Sequence, residues 1–175
     1  MAGFFHDIFG IPFEDIAPIV DRSPAAALQL ASRARRRVQG REDLHSGDRG
    51  RQQEVVEAFL TASRNGDFEM LVSLLDPEAV LRADRAAVEA AAANRQRGVP
   101  LLEPEVRGGR AVATVLFGQA AAAEVALIEG VPGAVWAPGG RPRAVFAFRV
   151  VGTTVTEIEI VSDAVVVKSL QVELL

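Results

Sequence analysis

Apolar residues in the first forty positions follow a helical rhythm, broken once. Phe13, Ile16, Ala17 and Val20 recur at i, i+3, i+4 and i+7, which places them on one stripe of a short helix. Asp21-Arg22 interrupts the pattern. Ser23 then offers an oxygen to an orphan N–H, and Pro24 suits a first helical position, so a second helix is predicted to run to about Val38. Its apolar stripe is Ala27, Leu30, Ala31, Ala34 and Val38, opposite a face that carries Gln29, Ser32, Arg33 and Arg36. Ahead of the pair, Phe4, Phe5, Ile8 and Phe9 stop at Gly10 and read as the end of a further helix.

The rhythm lapses over QGREDLHSGDRG, which is polar and punctuated by glycine. Residues 41–50 are therefore expected to link an N-terminal helical unit, 1–40, to a larger unit, 51–175. That unit opens with helical spacing over Gln53 to Arg64, a break at Asn65-Gly66, and a second helix capped by Asp67 that holds Phe68, Leu71, Leu74 and Leu75. Asp76-Pro77 ends the pair, and Ala79 to Ala83 is a short strand candidate. Arg85 to Arg97 scores as helix by propensity, although its alanines show no face. Gly108 to Ala123 suits a strand or a helix. Beyond it, Glu124 to Ile128, Ala134 to Ala137, Arg143 to Val151 and Val155 to Ser162 are β-branched segments, two of them strictly alternating. Gly130-Val131-Pro132-Gly133, Pro138 to Pro142 and Gly152-Thr153-Thr154 are expected as the turns between them. An antiparallel sheet with helices supplied mostly from before it is an α+β layout.

Charge changes this picture at one place. The net charge is −4, yet Ala31 to Arg41 holds five arginines and no acid, so a polyanion would be met locally and not by the whole surface. Such a run can simply complement the dipole at a helix end. A small-residue start and an arginine-rich end also suit a helix whose beginning approaches base edges and whose end meets phosphates. With no cysteine, disulfides and thiolate sites are excluded, and His6 and His45 have no ligand-spaced partners, so neither a metal nor a cofactor is expected. No apolar run approaches a membrane span, and the first ten residues lack the form of a secretory signal, so a cytoplasmic placement away from membranes is expected.

Two stretches carry a resemblance. HDIFGIPFEDIAPIVDRSPAAALQLASRARRRVQG, from His6 to Gly40, resembles the later part of region 4 of extracytoplasmic-function sigma factors, the helix-turn-helix that reads the −35 promoter element. RQQEVVEAFLTASRNGDFEMLVSLLDPEAVLRAD, followed by VRGGRAV and WAPGGRPRAVFAF, resembles the C-terminal SnoaL-like domain of the same group, over about Arg51 to Glu159. The resemblance implies a cone-shaped α+β domain with a curved antiparallel sheet, and a helix over Gly109 to Ala121. It implies promoter DNA and the RNA polymerase core as partners, with Arg22, Gln29, Ser32, Arg33, Arg36 and Arg37 contacting DNA. Sigma region 2 has no counterpart and region 4 starts part-way, so a chain like this is not expected to open a promoter alone. Leu28 stands where the family often has a basic residue, and SDAVVVKSLQVELL departs from the family's polar tail.

Other readings attach to the larger unit. SnoaL-like folds include polyketide cyclases and isomerases that use a pocket carboxylate as base; Asp84 and Glu124 are the candidates here, without a tyrosine or histidine partner in the unit. Alternatively the unit binds a small apolar ligand, or forms a homodimer through its sheet. Trp136, the sole tryptophan, fits either but is expected first as a core residue. No catalytic residue is assigned, and the expected function is transcriptional rather than enzymatic.

Overall fold

The computed structural model describes residues 46–97 and 99–175; the helix pair expected over residues 12–40 lies outside the described residues. The chain divides into two units, Met1–His45 and Ser46–Leu175. The elements of the second are α1 (Ser46–Asn65), α2 (Phe68–Leu74), β1 (Leu75–Ala83), α3 (Arg85–Ala93), β2 (Glu105–Arg107), α4 (Gly109–Leu116), β3 (Ala123–Ile128), β4 (Val131–Trp136), β5 (Ala144–Val151), β6 (Thr154–Val161), α5 (Ala164–Ser169) and β7 (Val172–Leu174). The unit is α+β, as the pattern predicts. Helix α1 starts at Ser46 and so takes in the last part of the stretch expected as linker.

The helical hairpin forms for local reasons. Gln52, Val55, Val56, Phe59, Leu60 and Ser63 make one buried stripe of α1. Gly66, at φ +67°, turns the chain where an L side chain would be strained. Asp67 then caps α2, its carboxylate accepting from the N–H of Met70 at 3.0 Å.

One curved sheet carries the rest, in the order β2-β1-β6-β5-β4-β3-β7. All pairs are antiparallel except β1 and β6, which run parallel, so the sheet is mixed where the strand pattern predicts an antiparallel one. Strand β1 begins at Leu75 and not at Ala79, because its pairing with β6 resumes across Pro77: Leu75 faces Val155, and the next rung is Val80 with Glu157. Proline offers no N–H to a ladder, which accounts for the gap.

The β3–β4 turn is tighter than the sequence suggests. Only Glu129 and Gly130, both at positive φ, make it; Val131, Pro132 and Gly133 belong to β4. Pro132 lies beyond the last β4–β5 rung, Gly133 with Ala147, so its missing N–H removes no bond there. The carbonyls of Pro132 and Phe148 both accept instead from Nε2 of Gln52, 5% exposed, at 3.2 Å each. Gly133 is required by close packing, since a Cβ would meet the Phe146 carbonyl oxygen at 2.7 Å.

Alternation splits the sheet between two cores. Phe148, Ile158, Ile160, Ala134 and Ala123 join α1, α2, α3 and α4 in the larger cluster. Val145, Val161, Val135, Ala126 and Ile128 point the other way and are covered by Val167, with Val166 and Leu170 packed alongside. Helix α5 thus closes the second face, and β7 adds a strand beside β3.

Candidate functional site

A cavity of about 470 Å³ opens between the sheet and the helices. Phe146, Phe148, Ile158 and Ile160 form its sheet wall, Phe59, Leu60 and Ser63 of α1 its back, and Val115 and Leu116 of α4 one side. The remaining wall is built of alanines: Ala87, Ala90 and Ala91 of α3, the run Ala120 to Ala123, and Ala144 of β5. This explains why the alanines of residues 85–93 show no amphipathic face. Their short side chains leave volume unfilled, and the space in front of them is the cavity.

The loop before β3 is tied down by α1. Ser63 Oγ donates to the Leu116 carbonyl, the Gly118 N–H donates to the Ser63 carbonyl at 2.9 Å, and the Arg64 guanidinium donates to the carbonyls of Ala120 and Ala123. The alanine run is thereby held as a wall. Helix α4 ends at Leu116, so the helix that the resemblance puts over Gly109 to Ala121 stops short of this loop.

Among the described residues, no aspartate, glutamate, lysine, arginine or histidine lines the cavity. Its polar side chains are Ser63, Asn94, Gln119 and Ser162. The Ser162 hydroxyl makes no hydrogen bond among the described residues, although the Ser162 N–H is fixed by Asp84. Trp136 lines the cavity and is 43% exposed, which places it at the rim and corrects the expectation that it is core.

The two carboxylates considered as bases sit elsewhere. Asp84 is the N-cap of α3: Oδ1 accepts from the Ala87 N–H at 2.7 Å, and Oδ2 accepts from the N–H groups of Ser162 and Asp163 at 3.0 and 2.9 Å. A carboxylate engaged by such backbone donors locks the corner between β6 and α5 to the start of α3. Glu124 is exposed on β3. Neither lines the cavity. Among the described residues no cluster of histidine, cysteine, aspartate and glutamate could hold a metal ion.

Charge gathers on the other side of the alternation. Glu105 of β2, Arg82 of β1, Glu157 of β6 and Arg149 of β5 form a cross-strand series of ion pairs, extended by Arg107 to Glu105 at 2.6 Å. The hydrogen bond from Arg107, with the charges of Arg107 and Arg82, holds the Glu105 carboxyl below the usual carboxylate range. Because the signs alternate, these arginines are each set against a carboxylate and do not form a continuous basic patch. The DNA-contact residues predicted from the sequence, Arg22, Gln29, Ser32, Arg33, Arg36 and Arg37, lie outside the described residues.

No family model matches the chain. It is 38% identical over 99 residues to the ECF RNA polymerase sigma factor SigJ of Mycobacterium tuberculosis H37Rv, covering 56% of this chain and 32% of that protein. It is 36% identical over 72 residues to the probable ECF RNA polymerase sigma factor SigI of the same species, covering 41% and 25%. The chain thus matches no more than a third of the length of these relatives. Among solved structures, that of M. tuberculosis SigJ aligns with a TM-score of 0.49 at 27% identity, over 91% of this chain and 56% of the other.

Proposed function

We propose that this homologue of ECF RNA polymerase sigma factors is itself a sigma-factor-like transcription protein, which binds a −35-type promoter element through residues 12–40. The observation that carries the reading is the 38% identity to SigJ over 99 residues. Arg33, Arg36 and Arg37, with Arg22, supply phosphate contacts, and Gln29 and Ser32 stand on the face where base edges are read. Leu28 contributes no charge on that helix. Promoter DNA and the RNA polymerase core are the partners, the cytoplasm is the compartment, and the unit Ser46–Leu175 is a regulatory appendage rather than a catalyst. The neutral side chains that the described residues bring to its cavity support the last point, since acid–base chemistry needs a titratable group within hydrogen-bond reach of the reacting atoms.

Fluorescence anisotropy of a labelled promoter-length duplex at low salt tests the proposal. The full chain is expected to bind weakly at low salt, and the variant with Arg33, Arg36 and Arg37 all changed to alanine to bind far more weakly still. Absence of binding by the parent chain at low salt would remove the DNA role.

A further inference from the structure

We infer that the tip of the β4–β5 hairpin, Trp136 with Arg141 and Arg143, is a contact site for single-stranded nucleic acid. The inference goes beyond the promoter-binding reading and uses none of residues 12–40, so either can fail without the other.

Three observations carry it. From Gly130 to Thr156 the chain holds Arg141, Arg143 and Arg149 and no acid, so this hairpin is locally basic on a chain of net charge −4. Its arginines are not used alike. Arg149 is set against Glu157 across the strands, as Arg82 and Arg107 are against their own carboxylates. Arg141 and Arg143 are exposed and make no ion pair or side-chain hydrogen bond among the described residues. Beside them Trp136, the last residue of β4, leaves part of its indole open to water. The tip is also held in one shape. Pro138 and Pro142 fix their own backbone, the Gly140 N–H donates to the Ala137 carbonyl at 3.0 Å, and the Arg143 N–H donates to the Trp136 carbonyl at 2.8 Å. Aromatic and cationic residues thus leave the sheet at the same point. Glu124 of β3 stands opposite Val135 and so lies on the other face from Trp136. The combination selects the partner. Arginines alone would suit any polyanion, but an indole face adds stacking on a flat base, whatever its sequence. A duplex hides the faces of its bases, and an acidic peptide offers charge without a ring; a single strand offers open bases and phosphates together.

Trp136 is the chain's sole tryptophan, so its fluorescence reports on this tip and not on residues 12–40. Titrated at low salt with an oligothymidylate of about twelve nucleotides, the full chain is expected to show saturable quenching. The logarithm of the association constant should fall against the logarithm of salt concentration with a slope of about −1.4, two phosphates at about 0.7 each. Changing Arg141 and Arg143 together to alanine is expected to weaken the binding at least about tenfold. Both side chains are exposed and without partners among the described residues, so the circular dichroism should match that of the parent. The variant with Arg33, Arg36 and Arg37 changed to alanine should be quenched as the parent is, which separates this site from the promoter-binding reading. No quenching of the parent chain, quenching undiminished in the Arg141 and Arg143 variant, or loss of quenching in the Arg33, Arg36 and Arg37 variant would each overturn the inference. Equal quenching by a duplex of the same length, or by oligoglutamate, would overturn it as well.

Discussion

At the scale of single residues, Asp84 shows how a carboxylate that looks catalytic becomes structural. In the sequence it follows a strand candidate and precedes an alanine run, and an acid group in an apolar neighbourhood is a candidate base. The same position is that of an N-cap, and the structure uses it so, with further backbone donors from the corner after β6. We expect Asp84→Ala to lower the free energy of unfolding by about 2–4 kcal/mol, combining a lost cap with lost hydrogen bonds to a charged acceptor. Glu124→Ala, at an exposed site, should stay within about 0.5 kcal/mol. Urea unfolding of both variants checks the contrast, and equal effects would contradict the assignment of Asp84. Gln52 and Ser162 carry no such sequence signal: a buried glutamine serving strand carbonyls 80 and 96 positions away is visible only once the chain is folded.

Elements with strong periodicity are legible in the sequence, and those whose pattern depends on empty space or on a distant partner are not. The hairpin of α1 and α2, with Asp67 as cap, and the alternating strands β5 and β6 stand where their spacing puts them. The alanine helix α3 is hard to read because its wall faces a cavity, leaving no large side chains to mark a stripe. Val131-Pro132-Gly133 resembles a turn because proline and glycine usually punctuate. Here the proline sits past the last rung to β5, and the glycine admits a neighbouring carbonyl. The C-terminal SDAVVVKSLQVELL, which departs from the resemblance, builds α5 and β7 and buries Val167 on the second face of the sheet. Val167→Ala is expected to cost roughly 1–3 kcal/mol through lost apolar burial. Thermal unfolding measures it, and a change within error would show that α5 does not close that face.

For the whole molecule, legibility differs between its parts. The fold class of residues 51–175 follows from patterning, and the partner suggested by residues 6–40 follows from a resemblance whose family the relatives share. The cavity follows from neither, because the alanines that leave its space come from α3, the loop before β3 and β5, positions far apart in sequence. DNA binding by residues 12–40 makes a quantitative demand. If Arg22, Arg33, Arg36 and Arg37 meet phosphates, the logarithm of the association constant should fall against the logarithm of salt concentration with a slope of roughly −3 to −4, reflecting released counterions. With Arg33, Arg36 and Arg37 changed to alanine, the slope should flatten by about 3 in a duplex that still binds measurably. A salt titration of duplex binding by the full chain and this variant is the most direct measurement. A steep slope that collapses in the variant is the predicted result; the same slope in both proteins would contradict it.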